Sequence, residues 1–165
     1  MKARSKTIAY IDGANLHKGA KSIGLDLDYK RLHTWLGFKY GITDAYIFIG
    51  MVSEYTGLYN YLQQSGFKVI FKEVVFDGNG KPKGNCDADL VLNIVSDFYE
   101  GRADRAILVS SDGDYASTIQ FLIKKGKLPA ILSPSDVKKC SILLKRTGAE
   151  IAYLRDFMNT IKKQP

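Results

Sequence analysis

The sequence predicts a three-layer α/β/α fold with a mostly parallel central sheet. Short apolar runs recur along the chain and have the length of buried strands rather than of helices. Segments with a helical spacing of apolar residues separate most of these runs. The chain has 165 residues and contains no internal repeat, low-complexity tract or linker. We therefore expect one α/β domain that spans residues 1–165.

The predicted strands coincide with the apolar runs, in chain order 6–12, 44–51, 67–76, 105–111, 127–134 and 150–154. Helices are predicted between them from capping residues and terminal glycines. The first helix starts at Ala14 and the second follows the capping residue Asp28, and the later ones lie at 54–66, 87–101, 114–126, 135–148 and 155–164. The segment DGNGKPKGN at 77–85 is polar and glycine-rich, which predicts a loop.

The charge of the chain indicates a polyanionic partner. The formal net charge is +7 at pH 7 and the sequence pI is about 9.3, a balance that favours nucleic acid. The two cysteines and two histidines are isolated from one another, without the spacing of a zinc site or a disulfide framework. A metal site in this chain is therefore expected to use oxygen ligands.

The apolar runs also bear on the expected location of the protein. No run approaches the roughly 18 residues of a membrane span, so we expect no membrane association through such a segment. The start, MKARSKTIAYIDGAN, has an apolar run too short for a signal peptide. A cytoplasmic protein is the resulting expectation.

Acidic residues follow two of the predicted strands. Asp12 ends the first strand, and Asp112 and Asp114 lie just past the fourth. In open parallel sheets, functional groups collect beyond the carboxyl ends of the strands, near the point where the strand order reverses. If strands one and four are neighbours, these three carboxylates converge on one edge of the sheet.

A further acid lies at the start of the helix over 87–101. Asp87 comes four residues before Val91 and seven before Ile94, so it projects from the apolar face that packs on the sheet. Asp89 lies about 200° around the helix from Asp87 at 100° per residue, on the side of Asn93. Asp87 is therefore the better ligand candidate, and Asp89 and Asn93 are second choices, as ligands or beside them.

Each acid has a simpler explanation when it is considered alone. Asp87 and Asp112 could cap helices, and Asp12 with Gly13 could form an ordinary strand-to-helix turn. Capping does not explain why acids occur at two strand ends and at an inward helix start together. Four clustered carboxylates repel one another unless cations neutralise them. Mg²⁺ or Mn²⁺, which prefer oxygen ligands, would provide that neutralisation.

Divalent ions held by carboxylates can activate a water and stabilise the leaving oxygen of a phosphodiester. Asn15, three residues after Asp12, could bind the phosphate or a metal-bound water. Ser110 and Ser111 could do the same from the end of the fourth strand, or could instead satisfy the loop backbone. These residue types together indicate phosphodiester hydrolysis.

Three segments resemble, in order and spacing, the acidic motifs of the NYN domain family, within the PIN-like nuclease group. The segments are YIDGANL, KPKGNCDADLVLNIV and ILVSSDGDY. The resemblance runs from about Lys6 into the segment SDVKKCSILLKRTGAEIAYLRDF, and the form with KGNCDAD looks most similar to small bacterial members. It implies a PIN-like, Rossmann-like fold and a nuclease activity.

The resemblance also implies roles for individual residues. Asp12, Asp87, Asp112 and Asp114 match the catalytic acids that hold Mg²⁺ or Mn²⁺ for RNA hydrolysis. Asn15 matches the amide of the first motif, and Lys83 and Gly84 match a Lys-Gly step before the second acid. We therefore expect Lys83 to steer the phosphate backbone of an RNA substrate.

Two other functions remain open from the sequence. The chain could be an RNA-binding or regulatory module that keeps the acids without turnover, since Asn93 stands where many relatives carry an acid. A small-molecule phosphoryl enzyme is the other, although no phosphate-cradling GxxxxGK[ST] loop is present. Tyr55, Tyr59 and Tyr61 could stack bases or pack within their helix. The loop 77–85 and the C-terminal helix could form contacts in a homo-oligomer.

Overall fold

The structure is a computed structural model that describes residues 3–51, 56–73, 75–80, 82–83 and 86–165. Six strands form the central sheet, and two short strands form a separate hairpin. In chain order the strands are β1 (Thr7–Asp12), β2 (Asp44–Met51), β3 (Lys68–Glu73), β4 (Val75–Phe76), β5 (Pro82–Lys83), β6 (Arg105–Val109), β7 (Ala130–Ser133) and β8 (Glu150–Tyr153).

Helices connect the strands of the central sheet. In chain order they are α1 (Gly13–Ser22), α2 (Tyr29–Tyr40), α3 (Thr56–Gln64), α4 (Asp87–Tyr99), α5 (Ala116–Lys124), α6 (Ile142–Lys145) and α7 (Met158–Ile161). Two 3₁₀ turns, Gly113–Tyr115 and Leu154–Phe157, lead into α5 and α7. Among the described residues, no helix is both long and apolar enough to cross a bilayer.

The strand order of the central sheet is β3-β2-β1-β6-β7-β8, and every neighbouring pair is parallel. One apolar cluster packs α1, α2, α3 and α7 on one face, and a second packs α4, α5 and α6 on the other. The predicted three-layer fold is thus confirmed. The strand order reverses between β1 and β6, where side chains from both strand ends are expected to meet.

The alternation of side chains along β1 decides where Asp12 points. Ile8 and Tyr10 belong to the core beneath α4 and α5, whereas Ala9 and Ile11 belong to the opposite core. Because the side-chain period of a strand is two, Asp12 falls on the face that α4 covers. The strand therefore delivers its terminal carboxylate towards α4.

The predicted strand over 67–76 and the predicted loop over 77–85 are both wrong in part. The register of β3 against β2 ends at the pair Met51–Glu73, so β2 offers no partner to the described residues beyond it. Val75 and Phe76 instead pair antiparallel with Lys83 and Pro82. Backbone groups that lose one partner need another, and the hairpin supplies it. The Asp77 side chain and backbone carbonyl accept from Asn79 and Gly80 and form the connecting turn.

The helix predicted over 135–148 is also wrong, since only Ile142–Lys145 is helical. The Asp136 carboxylate accepts from the backbone N–H of Lys139, and the Ser141 hydroxyl accepts from that of Leu143. These local bonds divide the segment into a turn and one short helix. The Ser141 N–H also donates to the Ser111 carbonyl at 3.1 Å, which ties the segment to the end of β6.

Gly13 is required by close packing rather than by an unusual backbone conformation. It is not among the glycines with positive φ. A Cβ at this position would lie 2.3 Å from Cγ2 of Ile49 and 2.8 Å from the carbonyl oxygen of Phe48. Gly13 lies at the strand-to-helix junction as expected. The reason for a glycine there is steric, because α1 starts directly against the end of β2.

Replacing Gly13 with alanine should destabilise the fold by roughly 1–3 kcal/mol, because the Phe48 backbone cannot move aside easily. Gly37→Ala is the matched control, since a Cβ on Gly37 in α2 would meet nothing within 4 Å. It should stabilise α2 by about 0.5–1 kcal/mol. Urea unfolding measures both changes, and equal midpoints for the two variants would contradict this account.

Candidate active site

Asp12 is held at the junction of β1 and α1 by two hydrogen bonds. Its Oδ1 accepts from the backbone N–H of Asn15 at 3.0 Å, so Asp12 caps α1. Its Oδ2 lies 3.0 Å from the hydroxyl of Tyr115. The residue is only 8% exposed. Capping orients the carboxylate, and the second oxygen remains directed towards α4.

Asp112 and Asp114 occupy the tight turn that follows β6. The Asp112 Oδ1 accepts from the backbone N–H of Asp114 at 2.9 Å, and the Asp112 N–H donates to the Ser110 hydroxyl at 3.1 Å. Between the two acids, a Cβ on Gly113 would lie 2.4 Å from the Ser141 hydroxyl oxygen. The turn is therefore held by a hydrogen bond to Ser110 and by close packing of Ser141 against Gly113.

Asp87 and Asp89 both lie in the first turn of α4 but face different surroundings. Asp87 Oδ1 accepts from the Tyr115 hydroxyl at 2.7 Å. Asp89 instead pairs with Lys72 of β3, at 3.5 Å between Oδ2 and Nζ. Cys86, rather than Asp87, is the N-cap residue of α4. The Asp87 carboxylate is thus turned towards the ends of β1 and β6.

Three of these acids share one small volume. Asp87, Asp112 and Asp114 each offer a carboxylate oxygen, and the three oxygens all lie within 4.8 Å of one another. Asp12 lies beside this group, with the Tyr115 hydroxyl between it and Asp87. The structure thus places Asp87, Asp112 and Asp114 close to one another. Asp12 is linked to Asp87 by the Tyr115 hydroxyl.

Tyr115 has a single hydroxyl proton and two carboxylate neighbours. The hydroxyl lies within donating distance of both, 2.7 Å from Asp87 and 3.0 Å from Asp12, so the two carboxylates share one proton. A further proton or a cation near Asp12 would reduce the repulsion that remains. Burial, followed by the charges of Asp12 and Asp87, raises the pKa of Tyr115, so the phenol stays protonated. The hydroxyl therefore keeps the two acids at a fixed spacing.

The crowding of carboxylates in a buried place affects the pKa of Asp12. Burial raises the pKa of Asp12 above its ordinary value, and the charges of Asp87 and Asp112 add to the rise. Hydrogen bonds from Asn15 and Tyr115 oppose it but do not cancel it. An acid with a raised pKa is stabilised by protonation or by a nearby cation. The site thus favours added positive charge.

Asn15 joins the ends of β1 and β6. Its Oδ1 accepts from the backbone N–H of Ser111 at 2.9 Å and from the Ser111 hydroxyl at 3.1 Å. The Ser111 hydroxyl also lies 3.0 Å from that of Ser135. Asn15, Ser110 and Ser111, all predicted as substrate contacts, therefore make bonds that build the rim of the site.

A cavity of about 280 Å³ opens above these strand ends. Its lining includes the acids Asp12, Asp87 and Asp112 together with Asn15 and Lys18 of α1. Gly50 at the end of β2 lines it as well. A cation such as Lys18 at the margin of an acidic cavity suits a phosphate on its way to a metal ion.

Comparison with known families supplies a decisive observation. A sequence model of the NYN domain matches residues 6–146, a range that contains all four acids of the site. This chain belongs to the NYN domain family. The family resemblance of the three acidic motifs is thereby confirmed, and with it membership of the PIN-like nucleases.

Comparison with solved structures agrees with the fold of this NYN domain. A protein of unknown function from Vibrio parahaemolyticus superimposes with a TM-score of 0.76 at 18% identity, over 93% of this chain and 96% of that one. A pyrazinamidase/nicotinamidase from Streptococcus mutans gives a TM-score of only 0.43 at 14% identity, over 90% of this chain and 100% of the other. Comparison with curated proteins finds no match.

Several predicted residues of the NYN domain lie away from the acids or outside the described part of the chain. Gly84, Tyr55 and the side chain of Lys83 lie outside the described residues. The Asn93 amide donates to the Asp89 carbonyl at 2.9 Å, within α4. Tyr59 is buried, and Tyr61 lies edge-on to Tyr29. These two tyrosines pack within the fold.

Sequence reasoning missed Tyr115 and Lys18. Tyr115 directly follows Asp114, but a tyrosine beside an acidic motif is indistinguishable from a core residue until α4 is placed against it. Lys18 carried a usable signal, because it lies three residues after Asn15 and four after Ala14, on one face of α1. That spacing predicts that the three residues line the same cavity.

A buried network fixes α4, and with it Asp87, against the sheet of the NYN domain. Asp97, in the last turns of α4, is 3% exposed and accepts from the Tyr10 hydroxyl at 2.7 Å. Its other oxygen accepts from Nε of Arg102 at 2.9 Å. Both oxygens of this buried carboxylate are therefore satisfied, which holds the helix in one position along β1.

The raised pKa of Asp12 predicts a stability change on removing its charge. Asp12 binds a proton more tightly in the folded state than in the unfolded one. The stability from this proton is complete below the unfolded pKa of about 3.9 and is lost as the pH rises through the folded pKa. In metal-free buffer at pH 7, Asp12→Asn should therefore raise the unfolding temperature, by roughly 2–4 °C for about 1 kcal/mol.

Asparagine is a suitable replacement because it still caps a helix. The gap in unfolding temperature between wild type and Asp12→Asn should close as the pH falls through the raised pKa of the wild-type carboxyl, which then binds a proton. Differential scanning calorimetry at a series of pH values measures this. A wild type that is the more stable protein at pH 7, or a gap independent of pH, would contradict the electrostatic account.

Proposed function

We propose that this protein is a metal-dependent ribonuclease that hydrolyses RNA phosphodiester bonds. The convergence of Asp87, Asp112 and Asp114 at the end of the sheet carries this proposal. These like charges are concentrated in one place on a chain whose net charge is +7. A basic surface attracts a polyanion, whereas the acidic centre needs a cation before a phosphate can approach.

The donor set suits Mg²⁺ or Mn²⁺. All three converging ligands are carboxylates, and hard divalent cations prefer oxygen. Both Asp112 and Asp87 use one oxygen in a hydrogen bond within the protein, which fixes their orientation. Because the three acids surround one position, we propose that they hold one ion, with Asp12 beside it.

A bound divalent cation would supply charge that lowers the pKa of a water and stabilises negative charge developing on the phosphate. Asp12 lines the same cavity and offers Oδ2, either as a further ligand or as an acceptor for the proton of the attacking water. Tyr115 keeps Asp12 and Asp87 in place during the reaction through its hydroxyl. The ion, Asp12 and Tyr115 would thus activate the water, accept its proton and fix the acids, respectively.

Lys18 and Asn15 are proposed to position the substrate. Lys18 is exposed on α1 and lines the same cavity as the acids, where its ammonium can pair with a phosphate oxygen. Asn15 keeps the ends of β1 and β6 together through Ser111, so it fixes the spacing between the phosphate and the acids. Lys83 remains a proposed contact to the RNA backbone.

Substitution of single acids tests the proposal. Asp112→Asn and Asp87→Asn should each lower Mn²⁺-dependent cleavage of a labelled RNA by on the order of 100-fold or more, because each removes charge that holds the ion. Asp89→Asn should have a much smaller effect, since Asp89 pairs with Lys72. Asp26→Asn is the matched control, because Asp26 is exposed and pairs with Lys163 away from the site.

Gel-resolved cleavage assays with Mn²⁺, Mg²⁺ or EDTA measure these effects. Cleavage that persists in EDTA, or that survives both Asp112→Asn and Asp87→Asn, would contradict the proposal. RNA binding by the wild type without any metal-dependent cleavage would favour the alternative of a non-catalytic RNA-binding module. Each variant's unfolding temperature shows whether a loss reflects misfolding.

A further inference from the structure

Phe71 is an exposed aromatic residue on the edge strand of the sheet. It lies in β3, which ends the strand order of the described sheet, and it is 38% exposed. It pairs in register with Ile49 of β2. Register partners in parallel strands present their side chains on the same face. Phe71 and Ile49 therefore both lie on the face that carries α1.

This position is close to the acidic cavity. Ile49 lines the cavity and packs against Gly13, the residue that follows Asp12. Phe71 lies beside Ile49 on the next strand, β3. Neighbouring strands are about 4.8 Å apart, so the Phe71 backbone lies roughly 10 Å from β1. A group bound on Phe71 would therefore lie beside the α1 side of the cavity, whereas Asp12 points to its α4 side.

The Phe71 ring is held in place by Tyr59. The two rings meet edge to face, with centroids 4.9 Å apart and an interplanar angle of 78°. Tyr59 is itself buried, and its hydroxyl donates to the carbonyl of Gly50 at 3.1 Å. Gly50 lines the cavity. Tyr59 therefore contacts both the Phe71 ring and the cavity wall. A ring that is already held in place loses little conformational entropy when a base stacks on it.

Exposure alone does not distinguish Phe71, because single exposed apolar residues are common. Phe121 of α5 is exposed to a similar degree, at 42%, but it lines a different groove, between α4 and α5. What differs is that Phe71 lies one strand from Ile49, which lines the cavity that contains the acids. A cationic track with an aromatic platform is the usual arrangement for binding single-stranded nucleic acid.

We propose that Phe71 stacks on an unpaired base of a nucleotide next to the scissile phosphate. The inference rests on the proposed ribonuclease function and adds a side chain that contacts the substrate. A base in a duplex is already stacked on its neighbours and cannot present its face to Phe71, whereas an unpaired base can. Stacking does not read the base identity, so sequence preference at this position should be weak.

Binding of a fluorescein-labelled single-stranded RNA, measured by anisotropy at low salt with Ca²⁺ in place of Mn²⁺, tests the inference, because Ca²⁺ also takes oxygen ligands. A gel of the same samples shows whether the RNA stays intact. Phe71→Leu keeps an apolar contact with Tyr59 but has no planar face, and it should weaken binding at least about fivefold. Phe71→Trp should restore wild-type affinity. Phe121→Ala is the matched control and should bind as the wild type does. A blunt-ended RNA duplex should bind the wild type more weakly than the single strand does, and Phe71→Leu should reduce this difference.

Abasic substitution locates the stacked base. RNAs with one abasic residue at successive positions should include one position at which the loss of affinity does not add to that of Phe71→Leu. Equal affinity of Phe71→Leu and wild type, or full additivity at every position, would overturn the stacking inference. If the wild type neither binds nor cleaves RNA, the proposed function itself fails. Cleavage by the wild type that Phe71→Leu leaves unchanged refutes only the stacking.

Discussion

One hydroxyl group, that of Tyr115, holds the acids of the site together. It lies between Asp12 at the end of β1 and Asp87 at the start of α4. One proton cannot fully satisfy two carboxylates, so added positive charge stabilises the arrangement. Negative charge is concentrated at this place, and the pKa of Asp12 is raised by burial first and by the charges of Asp87 and Asp112 in addition. A cation is the simplest group that neutralises this charge.

The capping and ligand interpretations of the acids are compatible in this structure. Asp12 caps α1 and Asp112 caps the 3₁₀ turn, and each uses Oδ1 to do so. A carboxylate has a second oxygen, so a capping residue can still coordinate an ion or accept a proton. Capping also fixes the side-chain torsions, which reduces the entropy lost on binding. Local backbone requirements thus prepare these acids for chemistry.

Much of this fold and part of the site could be predicted from the sequence. Apolar runs and helical spacing indicated the parallel sheet, and acids after two strands indicated where carboxylates would converge. The hairpin of β4 and β5 was not predictable, because it depends on where the register between β2 and β3 ends, at the pair Met51–Glu73 among the described residues. Tyr115 and Phe71 were missed for a similar reason, since their roles depend on contacts with α4 and with β2.

The central claim is that Asp87, Asp112 and Asp114 together hold one divalent cation at the end of the sheet. A crystal structure of the protein with Mn²⁺, using the anomalous signal of manganese to locate the ion, tests it most directly. The account predicts a single strong peak within coordinating distance of all three carboxylates, with Asp12 alongside. A peak elsewhere, or none at saturating Mn²⁺, would contradict it.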